Sequence, residues 1–400
     1  MHLFISAGEP SGDQHGGGLI EAVRRVRPDV RVSGLGGPQM HAAGQDQTFR
    51  LTDLAVMGVA AVVPALRKFH AVYRQAARQI RQDRPDAVVL IDFPGFHWHL
   101  ARAARKAGVP VLWYMPPQLW AWAPWRIRKA RRSVDAVLSG LPFEADWYAA
   151  RGIPVDPIPH PFFDEVASHR LDAEFVRSIA PCGAGDRLVA ILPGSRGGEV
   201  SRNFPTQLIA MRHVAEAHPG VRFEVACYRE DQAEACRRML VEACSQAGPM
   251  PCDTPVRFRV GRTSEILEAA EAALMVSGSV SLEVLARRVP AVVCYRGTPL
   301  MWAVGKTLLT VDHVSLPNLI AGREVMPEFP FMTRKRRNAA KMARVLNRWL
   351  SNDGELAAVR DQMDALAGEV DIPGGADRAA EAVIGRITSA RSAAPGRRAA

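Results

Sequence analysis

Short apolar runs alternate along this chain with longer segments in which apolar residues recur at helical spacing. Uninterrupted apolar runs, typical of strands buried on both faces of a sheet, occupy residues 3–7, 87–91, 109–114 and 136–139. Residues 18–27 and 69–81 have the periodicity of amphipathic helices. Parallel strands need crossover connections of this kind, so the pattern predicts a doubly wound parallel sheet.

The same pattern restarts in the second half of the chain, with strand-like runs at residues 188–192, 223–227, 256–260, 273–276 and 291–294. Between the two sets, residues 158–186 hold several prolines around one helical stretch. We therefore predict two doubly wound α/β domains, 1–165 and 166–355. A helix at about 356–387 is expected to pack back on the first domain, and residues 388–400 are expected to be disordered.

Composition and charge narrow the class of protein. The 400 residues are 48% hydrophobic and 23% charged, as in globular proteins, and the net charge is +10. The excess is local, because residues 93–134 contain many basic residues and no acid, and residues 334–337 are all basic. A basic face of this kind suits a polyanion, either nucleic acid or an anionic membrane surface.

The spacing of the cysteines, the first residues of the chain and the length of its apolar runs indicate where the protein works and whether it binds a metal. The six cysteines form no C-x-x-C pair, which favours reduced thiols, and no metal-ligand motif is present. Glu9 and Asp13 follow the first apolar run directly, so we expect no signal peptide. The longest uncharged apolar run, residues 54–66, is shorter than the roughly 20 residues that span a bilayer. A soluble or peripheral protein is expected.

Tryptophans and basic residues are neighbours in one segment. Trp120, Trp122 and Trp125 are followed directly by Arg126 and further basic residues. This composition is typical of a membrane interface or of a lipid or phosphate site, and it also suits stacking of nucleic-acid bases. The alternative is a buried aromatic cluster beside a solvated basic helix.

Two candidate sites follow strands of the first domain. Asp92 ends the run at 87–91 and is interpreted equally as a partly desolvated general base or as the N-cap of the next helix. Residues 8–13 and the glycines at 16–18 follow the first strand, where small residues let an anion approach a helix start. A tight turn is the alternative, and the dinucleotide fingerprint is not matched.

The second domain offers two loops of similar design. Ser195 and Arg196 follow a strand and precede a helix, which places a guanidinium for a phosphate. Ser277 and Ser279 follow a later strand, where hydroxyls and amides suit a diphosphate, and Glu283 lies one turn further on, within reach of ribose hydroxyls. Together they indicate a nucleotide-diphosphate site. Asn318 offers one more hydrogen-bonding group, with ordinary turn chemistry as the alternative.

The set of motifs resembles the lipid-A-disaccharide synthase family over residues 3–387. The resemblance rests on segments 6–13, 34–40, 56–58, 91–94, 120–122, 141–144, 192–196 and 315–319. It implies a GT-B fold, two Rossmann-like domains with an interdomain cleft, and no cofactor. The implied reaction transfers 2,3-diacylglucosamine from UDP to the 6-hydroxyl of 2,3-diacylglucosamine 1-phosphate, with inversion, giving a β-1,6-linked disaccharide 1-phosphate and UDP.

The resemblance also implies roles for individual residues. Asp92 would deprotonate the acceptor hydroxyl, and Arg196 would neutralise the departing diphosphate. The remaining donor-side residues would be Ser11 near the reacting groups, Ser195, Ser277, Ser279 and Asn318 at the diphosphate, and Glu283 at the ribose. The membrane and acceptor side would comprise Val62, Val63, Leu66, Trp120, Trp122, Trp125 and Arg126, at the inner face of the cytoplasmic membrane.

The chain departs from the family pattern at Gly95, His97 and Pro159. These departures bear on how the acceptor is recognised more than on the class of reaction. An alternative function is another GT-B enzyme using UDP-N-acetylglucosamine, either an epimerase or a peptidoglycan-precursor transferase. A nucleic-acid-binding protein is the remote alternative, and no nucleic-acid partner is expected. Acyl-chain preference and homodimer formation are left open.

Overall fold

The computed structural model describes residues 1–55, 62–183, 185–251, 254–299, 302 and 310–392. The chain divides into two compact units. Unit 1 comprises residues 1–164 and the chain from residue 372 onward, and unit 2 comprises residues 165–371. Each unit is described by itself below.

Unit 1 is built on a seven-stranded parallel sheet in the order β3-β2-β1-β4-β5-β6-β7. Its strands are β1 (His2–Ala7), β2 (Arg31–Gly36), β3 (Asp46–Arg50), β4 (Ala87–Ile91), β5 (Val111–Tyr114), β6 (Ala136–Ser139) and β7 (Val155–Pro157). Its helices are α1 (Pro10–Val26), α2 (Pro38–Ala42), α3 (Thr52–Ala55), α4 (Val62–Asp83), α5 (Pro94–Lys106), α6 (Leu119–Trp122), α7 (Ile127–Ser133) and α8 (Pro142–Ala149). The division between the units falls in α9 (Pro161–Ser168).

Unit 2 is built on a six-stranded parallel sheet in the order β10-β9-β8-β11-β12-β13. Its strands are β8 (Arg187–Leu192), β9 (Val221–Cys227), β10 (Val256–Val260), β11 (Ala272–Val276), β12 (Ala291–Arg296) and β13 (Glu328–Phe331). Its helices are α10 (Ala173–Ile179), α11 (Gly197–Ala217), α12 (Glu230–Ala247), α13 (Thr263–Ala269), α14 (Val280–Ala286), α15 (Leu316–Ala321), α16 (Lys335–Ser351) and α17 (Asp353–Val370).

The apolar runs form the centre of each sheet because both faces are covered. In β4 all five residues are buried. Successive side chains of a strand point to opposite faces, so Val88 and Leu90 enter one core cluster while Val89 and Ile91 enter the other. The prediction of doubly wound parallel sheets is confirmed in both units.

The C-terminal segment differs from the single helix expected at 356–387. It forms two helices, α17 and α18 (Gly375–Ser392), separated by a short break. Leu356 and Met363 of α17 join the cores of unit 2, whereas Val383 of α18 joins a core of unit 1. Helix α18 also includes residues 388–392, where disorder was expected, and residues 393–400 lie outside the described part of the chain.

Candidate active site

Asp92 lies at the carboxyl end of β4, where the chain leaves the sheet of unit 1. Asp92 and Phe93 have positive φ angles of 46° and 49°, a strained conformation for residues other than glycine that is concentrated at functional sites. The N-cap of α5 is Phe93, with no side-chain cap bond, so the alternative interpretation of Asp92 as an N-cap is wrong. Gly8, after β1, is needed here because a Cβ atom would overlap the Phe93 ring.

The His97 side chain stabilises this strained turn by hydrogen bonding. Its Nδ1 lies 2.7 Å from the backbone oxygen of Asp92 and its Nε2 lies 2.8 Å from the hydroxyl of Ser6. A carbonyl only accepts, so Nδ1 carries the proton and Nε2 accepts from Ser6. Burial lowers the pKa of His97 to about 4, so the ring is neutral at physiological pH. The departure at position 97 therefore has a structural role that sequence reasoning missed.

A buried carboxyl group lies near the same strand ends. Glu144 of α8 is 2% exposed and accepts hydrogen bonds from Trp120 Nε1 at 2.8 Å and from Ser139 Oγ at 2.7 Å. Burial raises its pKa to about 7, with a smaller contribution from the charge of Asp92, against the lowering effect of the two hydrogen bonds. Trp120 is therefore buried and is not part of an exposed membrane surface, contrary to the expectation from the sequence.

The glycine-containing segment after β1 is helical, because α1 begins at Pro10. Its glycines mainly allow close packing: a Cβ at Gly16 would overlap the side chain of Met40 in α2. Asp13 is buried, and its carboxylate accepts from the backbone amides of Gly37, Gln39 and Met40 at 2.7–3.1 Å. The segment is thus partly structural, and Ser11 remains exposed in the first turn of α1.

In unit 2, the loop after β8 leads into the N-terminus of the long helix α11. Arg196 is the N-cap residue, and its side chain is 73% exposed. The Arg196 amide donates to Glu199 Oε2 at 3.3 Å, and Gly194 has a φ of 117° with Glu199 packed against it. Ser195 is exposed, and its carbonyl accepts from Gln232. The Arg196 guanidinium lies 3.5 Å from Glu199 Oε1. An exposed guanidinium at a helix N-terminus is an arrangement that binds phosphate groups.

The loop after β11 brings the second set of candidates together. Ser277 is half-buried and donates to the carbonyl of Val314 at 2.6 Å, while Ser279 is exposed. Glu283 is 8% exposed and accepts from Arg287 Nε at 3.1 Å and from Ser264. Its carboxylate therefore lies within a local hydrogen-bond network that leaves little of its surface for a ligand.

Asn318 does not lie where a ligand could contact it. It is fully buried, and its side-chain amide donates to Met326 O and Glu328 Oε1 at 2.7 and 2.8 Å. Its Oδ1 accepts from the amides of Val325 and Met326 at 2.7 and 2.8 Å. All of its hydrogen-bonding capacity is used, so the structure makes Asn318 a support of the 314–328 segment and corrects its expected place at the diphosphate.

The predicted membrane-side residues fall into three groups. Trp122 and Trp125 are 36% and 53% exposed, and the Arg126 guanidinium lies 4.7 Å from the centroid of the Trp122 ring. Trp120 is buried, as described above. The side chains of Val62, Val63 and Leu66 lie outside the described residues, although the backbone of α4 is helical there. Within the described residues, no helix combines the length and apolar character needed to cross a bilayer.

The architecture of the units matches solved structures of one class. An epimerase from Neisseria meningitidis bound to UDP-GlcNAc aligns with a TM-score of 0.62 at 11% identity, covering 97% of this chain and 99% of that chain. MurG from Acinetobacter baumannii aligns with a TM-score of 0.56 at 17% identity, with the same coverage. Two Rossmann-like units with polar groups after their parallel strands therefore define a protein of the GT-B class.

Comparison at the level of sequence is more specific. The family model described as lipid-A-disaccharide synthetase matches residues 3–365. A lipid-A-disaccharide synthase of Azotobacter vinelandii is 37% identical over 82% of this chain and 84% of that protein. One from Syntrophus aciditrophicus is 34% identical over 94% and 96%, respectively. The chain belongs to the lipid-A-disaccharide synthase family, which confirms the resemblance found in the sequence.

Proposed function

We propose that this protein transfers 2,3-diacylglucosamine from UDP to the 6-hydroxyl of 2,3-diacylglucosamine 1-phosphate. The products are a β-1,6-linked tetraacyl disaccharide 1-phosphate and UDP. The observation that carries the proposal is the strained Asp92 turn at the end of β4, whose backbone is fixed by His97. Family membership supports the choice of substrates.

On the acceptor side, the Asp92 carboxylate accepts the proton of the 6-hydroxyl as that oxygen attacks the anomeric carbon of the donor. Attack from the face opposite the diphosphate breaks the bond between that carbon and the leaving oxygen, and it inverts the configuration. The N-cap of α5 is Phe93 and not Asp92, so the Asp92 carboxylate is not assigned to capping that helix. Ser11, exposed in the first turn of α1, is a further candidate to contact the reacting groups.

On the donor side, the negative charge that develops on the diphosphate is stabilised by the exposed Arg196 and by the N-terminus of α11. The hydroxyls of Ser195, Ser277 and Ser279 add hydrogen bonds. Glu283 binds the ribose through the part of its carboxylate that Ser264 and Arg287 leave open. Asn318 acts indirectly, because it fixes the segment whose Val314 carbonyl holds Ser277.

Acylated substrates place the reaction at a membrane, and we propose the inner face of the cytoplasmic membrane. The exposed Trp122 and Trp125 beside basic residues support binding to an anionic surface. The apolar side chains of Val62, Val63 and Leu66 remain proposed contributors to this surface. Homodimer formation stays an open proposal.

UDP release tests the reaction. With both acylated glucosamines present, the wild type should release UDP, and Asp92→Asn should lower kcat by about a hundredfold or more because it removes the general base. Replacing the lipid acceptor by N-acetylglucosamine should abolish release. Release that requires no acylated acceptor, or full activity of Asp92→Asn, would overturn the proposal. Asp29→Asn, an exposed aspartate of unit 1, serves as the matched control.

A further inference from the structure

A basic depression lies on the flank of unit 1. Its volume is about 420 Å³, and its lining residues are Arg102, Trp125, Arg126, Arg128, Lys129, Arg132 and Ser133. These residues come from the second half of α5, from the turn before α7 and from α7 itself. Arg102 lies eight residues after the start of α5, so it is about 12 Å along that helix from the Asp92 turn at a rise of about 1.5 Å per residue.

Among the residues that the structure describes, the cations of this depression have no carboxylate partner. Within the described residues, Arg102, Arg126 and Arg128 make no ion pair, and neither do Lys129 and Arg132. Neighbouring arginines of the same helices are engaged: Arg105 pairs with Asp135 at 2.5 Å, and Arg131 donates to the carbonyl of Arg151 at 2.6 Å. Among the arginines of α5 and α7, all of which the structure describes, the ones without an ion pair or hydrogen bond are therefore those that line the depression.

Burial and mutual repulsion make this cluster unfavourable as it stands. Burial lowers the pKa of Lys129, and the positive charges of Arg102 and Arg126 lower it further. Two of the cations are nevertheless held over aromatic rings, since Lys129 Nζ lies 4.9 Å from the Trp98 ring centroid and the Arg126 guanidinium lies over Trp122. Basic side chains that are held close together without an acidic partner are complementary to an anionic ligand.

We propose that this depression binds the headgroup phosphate of an anionic membrane lipid. Arginine forks match the oxygens of a phosphate, and the half-exposed Trp125 at the rim suits the boundary between headgroups and acyl chains. The site lies away from the Asp92 turn and is distinct from the groups that carry the reaction. The proposal rests on the membrane association proposed above and gives it a specific lipid contact.

Vesicle binding tests this proposal with a matched pair of double variants. Arg128→Gln with Arg132→Gln removes two exposed charges from the depression, and Arg336→Gln with Arg337→Gln removes two exposed charges from the other basic run. On phosphatidylcholine vesicles containing phosphatidic acid, the first variant should bind about tenfold more weakly or worse, because each basic residue near an anionic surface contributes about 1 kcal/mol. The second should bind like the wild type. Equal loss in both variants would show general charge attraction and overturn the proposal.

Two further binding experiments identify the chemical group that the depression binds. Vesicles that carry oleate at the same surface charge replace the phosphate by a carboxylate, and the wild type should bind them about tenfold more weakly. Inorganic phosphate should compete with the phosphatidic acid vesicles only weakly at matched ionic strength. Equal binding to oleate vesicles would overturn the phosphate specificity, and tight binding of inorganic phosphate without vesicle binding would overturn the lipid source. None of these arms requires transfer activity, so this inference and the proposed reaction can fail separately.

Discussion

At the scale of the residue, the candidate base depends on groups that do not touch substrate. Asp92 and Arg196 could be selected from the sequence because each follows a strand, where doubly wound sheets bind ligands. His97 and Glu144 could not, because their partners are set by folding. Ser6 lies 91 positions from His97, and Trp120 lies 24 positions from Glu144. Only the histidine shortly after Asp92 offered a local signal.

We predict that His97→Ala lowers kcat by roughly a hundredfold with little change in KM, because a displaced Asp92 backbone misaligns the base without removing donor contacts. His97→Asn keeps a donor for the Asp92 carbonyl and should restore most of kcat. Steady-state kinetics with both substrates checks the split. His99→Ala, an exposed histidine of the same helix, should leave kcat unchanged. A rise in KM with constant kcat would argue against a positioning role for His97.

The raised pKa of Glu144 predicts that the free energy of unfolding depends on pH. Its pKa is about 7 in the folded chain against an ordinary value of 4.5, so the unfolded chain loses this proton first as the pH rises. Between these values stability therefore falls with rising pH, by roughly 3 kcal/mol in total at about 1.4 kcal/mol per tenfold difference in proton affinity. Glu144→Gln should lack this component. Urea denaturation of both proteins at pH 5 and pH 8 measures it, and identical pH profiles would contradict the raised pKa.

At the scale of the element, the strongly apolar strands were predictable, whereas the less apolar β3 and the proline-containing β13 were not. Strand β4 is continuous apolar sequence, whereas β3 reads DQTFR and β13 contains a proline. Both are edge strands, which need less apolar surface and tolerate proline on the unpaired side. The start of α1 at Pro10 was also missed, because its three consecutive glycines have low helix propensity. Tertiary packing accounts for them: Gly16 and Gly17 lie against α2, and Gly18 lies beside Ala376 of α18.

The Asp13 carboxylate connects α1 to the start of α2, and its removal should lower the stability of the protein. Asp13→Ala leaves three backbone amides around the start of α2 without their acceptor, which we expect to lower the free energy of unfolding by about 2 kcal/mol or more. Chemical denaturation measures the change. Asp29→Ala removes an exposed carboxylate of the same unit and should stay within about 0.5 kcal/mol of the wild type. Equal effects of the two substitutions would refute the capping role.

At the scale of the whole molecule, the sequence predicted two α/β units but not the path of the C-terminal chain. Helical periodicity runs through α17 and α18 alike, and the break between them decides which unit each helix joins. Helix α18 is fastened to unit 1 by Asp164, which accepts from the amides of Gly374 and Ala376, and by the Arg386–Asp156 ion pair at 2.9 Å. These contacts are non-local, so no sequence pattern shows them.

Truncation at residue 371 should therefore damage one unit only. It removes fully buried residues of α18, Ala379, Ala380 and Val383, from the core of unit 1 and leaves the cores of unit 2 intact. We expect the unfolding transition of unit 1 to move to lower temperature or disappear while that of unit 2 persists, as followed by calorimetry. Deleting only residues 393–400 is the control. Joint loss of both transitions would contradict separate cores.

The product of the reaction tests the central claim most directly. Incubation of the protein with UDP-2,3-diacylglucosamine and 2,3-diacylglucosamine 1-phosphate should yield equal amounts of UDP and one tetraacyl disaccharide 1-phosphate. Mass spectrometry gives the composition, and the proton coupling at the anomeric carbon should report a β-1,6 linkage. UDP release without the disaccharide, an α linkage, or recovery of an epimerised sugar nucleotide in place of the disaccharide would contradict the proposed function.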